Sequence, residues 1–296
     1  MYRCVKFSSV SLPVMPAEKS FASLVVKPII RALETWFLEA IPTPDVMPFA
    51  VTQHRLELSG LEQPLRVAHL TDLHFGPAQR LPSVRAWVNA TLEQKPDLIL
   101  ITGDFLEYRK SLSGVSELCA ELSRLTAPLG VFGVLGNHDL YAVRFAYLEL
   151  TEPLERAGIR ILTNAGLQAR DDLFVAGVDD LWNGKPDLEK ALEASPDHGA
   201  ILLMTHHPDL LETVPARVNL TLCGHTHGGQ IVLPWVGALH TGSKYGQRFV
   251  QGFVTGALGA RGFVSRGLGT TALPVRYNCP AELAVFDLMP VSAGEN

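Results

Sequence analysis

The sequence predicts one α/β domain built on two sheets with helices outside, and three observations carry that expectation. Leu98-Ile99-Leu100-Ile101-Thr102 and Ala200-Ile201-Leu202-Leu203-Met204 are continuous apolar runs, the pattern of strands covered on both faces. Segments of helical periodicity separate such runs at the length a parallel crossover requires. Beyond Ile231 the helical signal fades into short alternating segments, the pattern of antiparallel strands.

Taken in order, Arg55-Leu56-Glu57-Leu58 alternates and reads as a half-buried strand, and Leu65 to Leu70 is the strand that delivers Asp72. Residues 81–95 are expected helical, with Val84, Trp87, Val88 and Leu92 on one stripe. Pro96-Asp97 turns the chain into strand 98–102. A second cycle gives a helix over 114–125, a strand over 130–135 and a loop over 136–139. A third helix is expected over 145–157, then short strands at 161–162 and 173–177. Strands 200–204 and 220–223 follow, and strand-like segments at 249–254, 263–266 and 283–288 close the chain.

A chain of 296 residues with 47% apolar and 19% charged residues can bury a large core. Its formal charge of −5 argues against a nucleic-acid binder, so no nucleic-acid partner is expected. Cys4, Cys119, Cys223 and Cys279 are scattered without a C-x-x-C pair, which fits reduced thiols in a cytoplasmic protein. Residues 1–50 are read as an N-terminal extension and 51–296 as the main domain. Within the extension, residues 24–41 place Ile29, Ile30, Leu33, Trp36, Phe37, Ala40 and Ile41 at helical spacing. Four charges and a proline make this a poor transmembrane span. It reads either as a helix packed on the domain or as an amphipathic helix against a partner or the inner face of the cytoplasmic membrane. Pro42, Pro44 and Pro48 then form a linker.

Five blocks follow strand ends: Asp72-Leu73-His74, Gly103-Asp104, Gly136-Asn137-His138-Asp139, His206-His207 and Gly224-His225-Thr226-His227-Gly228. Together they offer two Asp, four His and one Asn as ligands and one further His for catalysis, a set suited to two metal ions sharing a carboxylate. Ligands gathered at the carboxyl ends of buried strands form a rigid site with exposed tips. Asp72 and His74, two apart, are expected to project to one side of an extended backbone.

This D-x-H, G-D, G-N-H-D, H-H and G-H-T-H pattern resembles the calcineurin-like metallophosphoesterase superfamily over roughly residues 65–288. The resemblance implies a four-layer αββα sandwich of two mixed β-sheets flanked by helices. It implies that Asp72, His74 and His227 bind one metal, that Asn137, His206 and His225 bind another, and that Asp104 bridges them. His138 is implied to be catalytic, with Asp139 orienting its ring. The implied cofactors are two divalent ions, Mn²⁺ first, with Fe, Zn, Co or Ni acceptable to the same donors. The implied reaction is in-line attack on phosphorus by a metal-bridging hydroxide.

Gly228-Gly229-Gln230, Ser243-Lys244-Tyr245-Gly246, Ser265-Arg266-Gly267-Leu268-Gly269 and Pro280-Ala281-Glu282-Leu283 are similar to the bacterial YkuE/YaeI-like phosphodiesterase branch. That branch in turn resembles a UDP-2,3-diacylglucosamine pyrophosphatase of lipid A synthesis. A phosphodiester or pyrophosphate substrate is therefore expected, with a UDP-linked lipid as the candidate the resemblance implies. The alternatives are a phosphomonoesterase or protein phosphatase with the same centre and, more remotely, a metal-free interaction scaffold. Arg85, Arg109, Lys244, Arg248 and Arg266 are candidates for a second phosphate or headgroup. His207 is expected to pack beside the site, and His54, His69, His198 and His240 to be structural.

Overall fold

The computed structural model describes residues 44–76, 80–107, 114–146 and 150–291, with backbone alone for 143–146. The amphipathic segment 24–41 and Arg109 lie outside the described residues. The domain already packs at Met47, which is buried and donates its N–H to Ser83 Oγ at 3.2 Å.

The described chain opens with β1 (Phe49–Leu58), β2 (Leu65–Leu70), α1 (Leu81–Glu93), β3 (Leu98–Thr102), α2 (Val115–Leu122) and β4 (Val131–Val134). It continues through α3 (Asn137–Ala146), α4 (Thr151–Arg156), β5 (Ile159–Ile161), β6 (Ala165–Arg170), β7 (Leu173–Gly177), α5 (Leu188–Leu192) and β8 (Ala200–Met204). The last part holds β9 (Leu220–Cys223), β10 (Val232–Leu233), β11 (Gly237–Ala238), β12 (Gly252–Thr255), β13 (Arg261–Val264) and β14 (Ala281–Pro290). One six-stranded sheet runs β1-β14-β2-β3-β4-β5 and the other β12-β13-β9-β8-β7-β6. Both are mixed. β2, β3, β4 and β5 are mutually parallel while β14 runs antiparallel to β2, and β7, β8, β9 and β13 are parallel between two antiparallel edge pairs.

The side-chain alternation of these strands builds the layers. Val67, Leu98, Leu100, Phe132 and Val134 of the first sheet face Leu173, Val175, Leu202, Met204 and Leu222 of the second. Their neighbours Ala68, Leu70, Ile99 and Ile101 point the other way, onto Val84, Trp87, Val88, Leu118, Leu122 and Leu154 of the helices. Phe174, Ala176, Ile201 and Leu203 cover the outer face of the second sheet with Ala191, Leu192, Val214 and Val218. The result is the αββα order expected.

Three elements differ from expectation. The third helix begins at Asn137, inside the stretch read as a loop, and a second helix restarts at Thr151. A glycine followed by Asn-His-Asp looks like a turn, yet Asp139 accepts the N–H of Gly136 at 3.0 Å, the reach-back half of a capping box. β6 was not legible because Ala165-Gly166-Leu167-Gln168-Ala169-Arg170 carries little strand propensity; pairing with β7 holds it. β14, expected among antiparallel strands, runs antiparallel to β2 but parallel to β1 over ten residues, a pairing with no local sequence signal.

At the opposite end from the candidate site, buried Asp172 accepts the N–H groups of Glu62 and Gln63 at 2.7 and 3.3 Å and meets the Arg170 guanidinium at 2.5 Å. Burial pushes its pKa up, but Arg170 and the two amides outweigh that and hold it below the ordinary carboxylate value. Its stabilisation is thus present above the unfolded-state pKa and lost as pH falls through the folded one. Asp172→Ala is expected to lower the unfolding free energy by about 2 kcal/mol, read from the urea midpoint at neutral pH; the difference should shrink in acid.

Candidate metal centre

The candidate residues lie just beyond the carboxyl ends of β2, β3, β4, β8 and β9, and the structure brings them together. Asp72, His74, Asp104, Asn137, His206 and His227 are buried, while His138 and His225 are partly open. Five of these sit in left-handed backbone: Asp72 at φ 53°, His74 at 46°, Asp104 at 53°, His225 at 74° and His227 at 53°. This corrects the extended geometry expected for Asp72-Leu73-His74, since β2 ends at Leu70 and the chain curls over the sheet edge. Non-glycine residues at positive φ cost about 1–3 kcal/mol each and persist where the surroundings over-determine them. Here backbone bonds do so: Asp72 N–H to the Gly103 carbonyl at 3.0 Å, and His74 N–H to that of Asp104 at 2.9 Å. Leu268 and Gly269 donate to the Thr71 and Asp72 carbonyls at 3.0 and 2.7 Å.

Close approach explains two glycines. A Cβ on Gly136 would lie 2.2 Å from Asp104 Oδ1, and one on Gly224 would lie 2.4 Å from Asp72 Oδ2.

The ring nitrogens fall into two groups. His206 Nδ1 lies 2.7 Å from the Thr102 carbonyl and His225 Nε2 lies 3.1 Å from that of Gly242. A carbonyl only accepts, so both of these nitrogens donate, and in neutral rings the opposite nitrogens carry lone pairs. Those opposite nitrogens, His206 Nε2 and His225 Nδ1, lie 3.0 and 2.8 Å from Asn137 Oδ1, and a cation there would take the place of the proton that His206 Nε2 otherwise holds. In the second group His74 Nε2 and His227 Nε2 are 2.9 Å apart, and His227 Nε2 is 3.5 Å from Asp72 Oδ1. Asp104 stands between the groups, its Oδ2 lying 3.2 Å from His206 Nε2 and 3.5 Å from His74 Nε2.

Electrostatics follow from this crowding. Burial pulls the His206 pKa down, but Asp104 overrides it and lifts it to about 10. Burial lowers His227 to about 3 and His225 well below the ordinary value. Burial would raise both Asp72 and Asp104, yet the surrounding histidines hold them below the usual carboxylate range. Buried acceptors this close, with both carboxylates kept ionised, suit a cation.

His138 lies at the start of α3. Its N–H donates to Asp104 Oδ1 at 2.9 Å, and its ring Nδ1 donates to the Glu107 carbonyl at 2.5 Å, leaving Nε2 free. Asp139 does not perform the expected orientation of that ring. Its two oxygens accept from Leu106 N–H at 2.9 Å and Gly136 N–H at 3.0 Å, tying the loop after β3 to that after β4. Burial, with Asp104 nearby, raises its pKa to about 7.

Two residues that sequence reasoning missed complete the site. The Glu107 carboxylate meets His74 Nδ1, and its Oε1 accepts from Thr271 Oγ1 at 3.3 Å. Arg276 is a partly buried cation that bonds the carbonyls of Arg266, Gly267 and Gly269 and approaches His227 Nδ1 to 3.3 Å. Neither stands in a motif, and both reach the site through tertiary folding. The turn at Asp179-Asp180 forms part of the rim. Asp180 Oδ2 accepts from Trp182 and Asn183, Asn183 donates to the Asn137 carbonyl at 2.9 Å, and the Trp182 ring lies 4.5 Å from that of His225. His207 packs beside the site as expected, 4.1 Å from the His225 ring.

The proposed phosphate-holding cations are mostly engaged elsewhere. Arg85 pairs with Glu121, Arg248 with Glu212 and Arg266 with Glu282. Cys119, Cys223 and Cys279 are buried and unbridged.

The fold and this cluster define a metallophosphoesterase. The chain belongs to the calcineurin-like phosphoesterase family, whose model matches residues 65–229, and it is accordingly a phosphoric ester hydrolase. Members of the family use two metal ions, and here the groups Asp72-His74-His227, His74-Asp104-His138 and Asp72-Asp104-His206 each place ligand atoms within 4.8 Å of one another.

Its similarities place it in a bacterial branch. It is 33% identical to the uncharacterized metallophosphoesterase YkuE of Bacillus subtilis, over 75% of this chain and 78% of that protein. It is 32% identical to phosphodiesterase YaeI of Escherichia coli, over 81% and 88%. An uncharacterized metallophosphoesterase of Aquifex aeolicus is 31% identical over 86% and 94%. Among the described residues no helix is long and apolar enough to cross a membrane.

Proposed function

We propose that this chain hydrolyses a phosphodiester or pyrophosphate bond with two divalent cations, on a substrate of the UDP-linked lipid class. The observation that carries the hydrolytic part is the convergence of His206 Nε2, His225 Nδ1 and Asn137 Oδ1 on one side of Asp104, with His74 Nε2, His227 Nε2 and Asp72 on the other. Asp72, His74 and His227 would hold one ion, Asn137, His206 and His225 the other, and Asp104 would serve both. When bound, such cations would supply Lewis acidity at the phosphoryl group and make a water more acidic, with Mn²⁺ the first candidate. His138, with Nδ1–H fixed on a carbonyl, presents Nε2 to a phosphoryl or leaving oxygen; in the doubly protonated ring Nε2–H would donate there and pass its proton to the leaving oxygen, leaving the ring neutral. Asp139 acts as the helix cap that aims the His138 backbone, not as a partner of its ring. The similarity to a phosphodiesterase supports the diester over the monoester. The lipid part extends that reading through residues 24–41, assigned to the N-terminal extension, which would bring the domain to the inner face of the membrane.

Glu107 has a separate role, fixing the His74 ring so that Nε2 faces the site. Glu107→Gln is expected to weaken divalent-ion binding by about 10–100-fold, measured by titrating stripped protein, with little change in the unfolding midpoint. Unchanged affinity would remove Glu107 from the centre. Turnover of UDP-linked diacyl sugars against soluble aryl diesters tests the substrate class: no preference for the lipid would leave only the general diesterase.

A further inference from the structure

The run Ile231-Val232-Leu233-Pro234-Trp235-Val236-Gly237-Ala238-Leu239 contains no side chain that can ionise. β10 and β11 fold it into a hairpin whose register pairs Val232 with Ala238 and Leu233 with Gly237. Its base is firmly held. Val232 N–H bonds the Tyr277 carbonyl at 3.0 Å, Leu239 N–H bonds that of Ile231 at 3.1 Å, and the Gln247 amide meets Ala238 at both N–H and C=O. The tip is bare: Trp235 is 104% exposed, Val236 64% and Leu239 59%, with Tyr277 half-exposed at the flank.

Trp235 also adopts φ 63°, a left-handed conformation unusual for a bulky aromatic. Neither the strain nor the exposure of this indole is offset by contacts within the domain. A rigid hairpin that holds an apolar tip outward is preorganised for something apolar outside it.

The hairpin is also continuous with the metal centre. A Cβ on Gly229, two residues past His227, would lie 2.2 Å from Ala238 Cβ. On the other side, three residues after Leu239, the Gly242 carbonyl meets His225 Nε2 at 3.1 Å.

Charge identifies the occupant. In a chain of net charge −5, residues 213–281 contain no Asp or Glu, but Arg248 and Arg266 are paired with Glu212 and Glu282 at the two ends of that stretch and Arg276 is engaged by carbonyls, so the argument rests on Lys244. Lys244 is exposed beside the short helix that carries Gln247, its ammonium 5.0 Å from the Tyr245 ring centroid, and no carboxylate pairs with it among the described residues. An apolar tip with Trp and Tyr, no ionisable group in the hairpin itself and an exposed lysine five residues beyond it matches the boundary of an anionic bilayer, although the Asp209 carboxylate accepts the Lys244 backbone N–H at 3.1 Å. It suits a protein partner less well, because a tip of three exposed apolar residues is small beside the roughly 800 Å² per partner that a stable protein interface buries.

We propose that hairpin 231–239 inserts its Trp235-Val236-Leu239 tip into an anionic phospholipid surface and thereby sets the metal centre at the headgroup level. This deepens the lipid-linked reading above and rests on it only for its purpose.

The test uses the full chain and vesicles of phosphatidylcholine with or without phosphatidylglycerol. Wild type should float with the anionic vesicles. The triple variant Trp235→Ser, Val236→Ser, Leu239→Ser should partition about tenfold less or weaker still. Brominated lipid should quench wild-type emission more than that of Trp235→Phe, which separates this tip from Trp36. Hydrolysis of a soluble aryl diester should be equal in all three proteins.

Absence of wild-type flotation, an unchanged triple variant or equal quenching would overturn the proposal. So would a lipid-free wild-type dimer that the triple variant breaks, because a second copy would then cover the tip. Vesicle binding without soluble-diester turnover would sustain the hairpin and sink the hydrolase reading instead.

Discussion

Asp104→Asn should lower kcat/KM for a phosphodiester by about a thousandfold or more, the largest single effect expected in this chain. Asp104 is the group within reach of both halves of the cluster, at 3.2 Å from His206 Nε2 and 3.5 Å from His74 Nε2, and its other oxygen accepts the His138 N–H. An amide keeps the shape but removes the charge that lifts His206 and that would draw two cations together. Metal content measured after desalting should fall from two ions per chain toward one or none. Full occupancy and near-normal rates would show that another residue bridges. Because the surrounding histidines hold Asp104 ionised, the amide also gives up that attraction and some stability, so circular dichroism is needed to separate lost chemistry from lost fold.

His138→Ala should act differently, lowering kcat by about 10²–10⁴-fold while leaving metal content intact. Its ring is held by the Glu107 carbonyl, so alanine removes the free Nε2 without removing a ligand from either group. The contrast between the two variants is the informative result. If His138→Ala also loses metal, the ring is a ligand, as its closeness to His74 and Asp104 permits. A substrate with an activated leaving group should recover part of the lost rate if Nε2 protonates the leaving oxygen, and none if it only binds the phosphoryl group.

Much of this architecture was legible because burial writes itself into composition. Leu98–Thr102 and Ala200–Met204 are covered on both faces, so they had to be apolar throughout, and they are strands. The same logic placed Asp72, Asp104, Asn137, His206 and His225 at strand ends. Local appearance misled where a tertiary contact decides. Gly136-Asn137-His138-Asp139 looked like a loop because its helix start is stabilised by Asp139 reaching back and by the Asp104 carboxylate across the sheet.

For the same reason Asp139 looked like a partner of the His138 ring, being adjacent in sequence, while the contact came from Glu107 thirty-one residues away. Arg276 left no trace at all: an isolated arginine in a polar turn reads as surface, and only folding buries it among carbonyls beside His227. The left-handed backbone of five site residues was likewise invisible, since Asp and His carry no glycine-like signature.

The central claim is that one cluster, loaded with two divalent ions, cleaves phosphodiesters. It is tested most directly by stripping the protein of metal and following bis(p-nitrophenyl) phosphate and p-nitrophenyl phosphate while Mn²⁺ is titrated back. The account predicts no turnover in the stripped protein, recovery that saturates at two ions per chain, and faster cleavage of the diester than of the monoester. Turnover that survives stripping, or saturation without any hydrolysis, would contradict it.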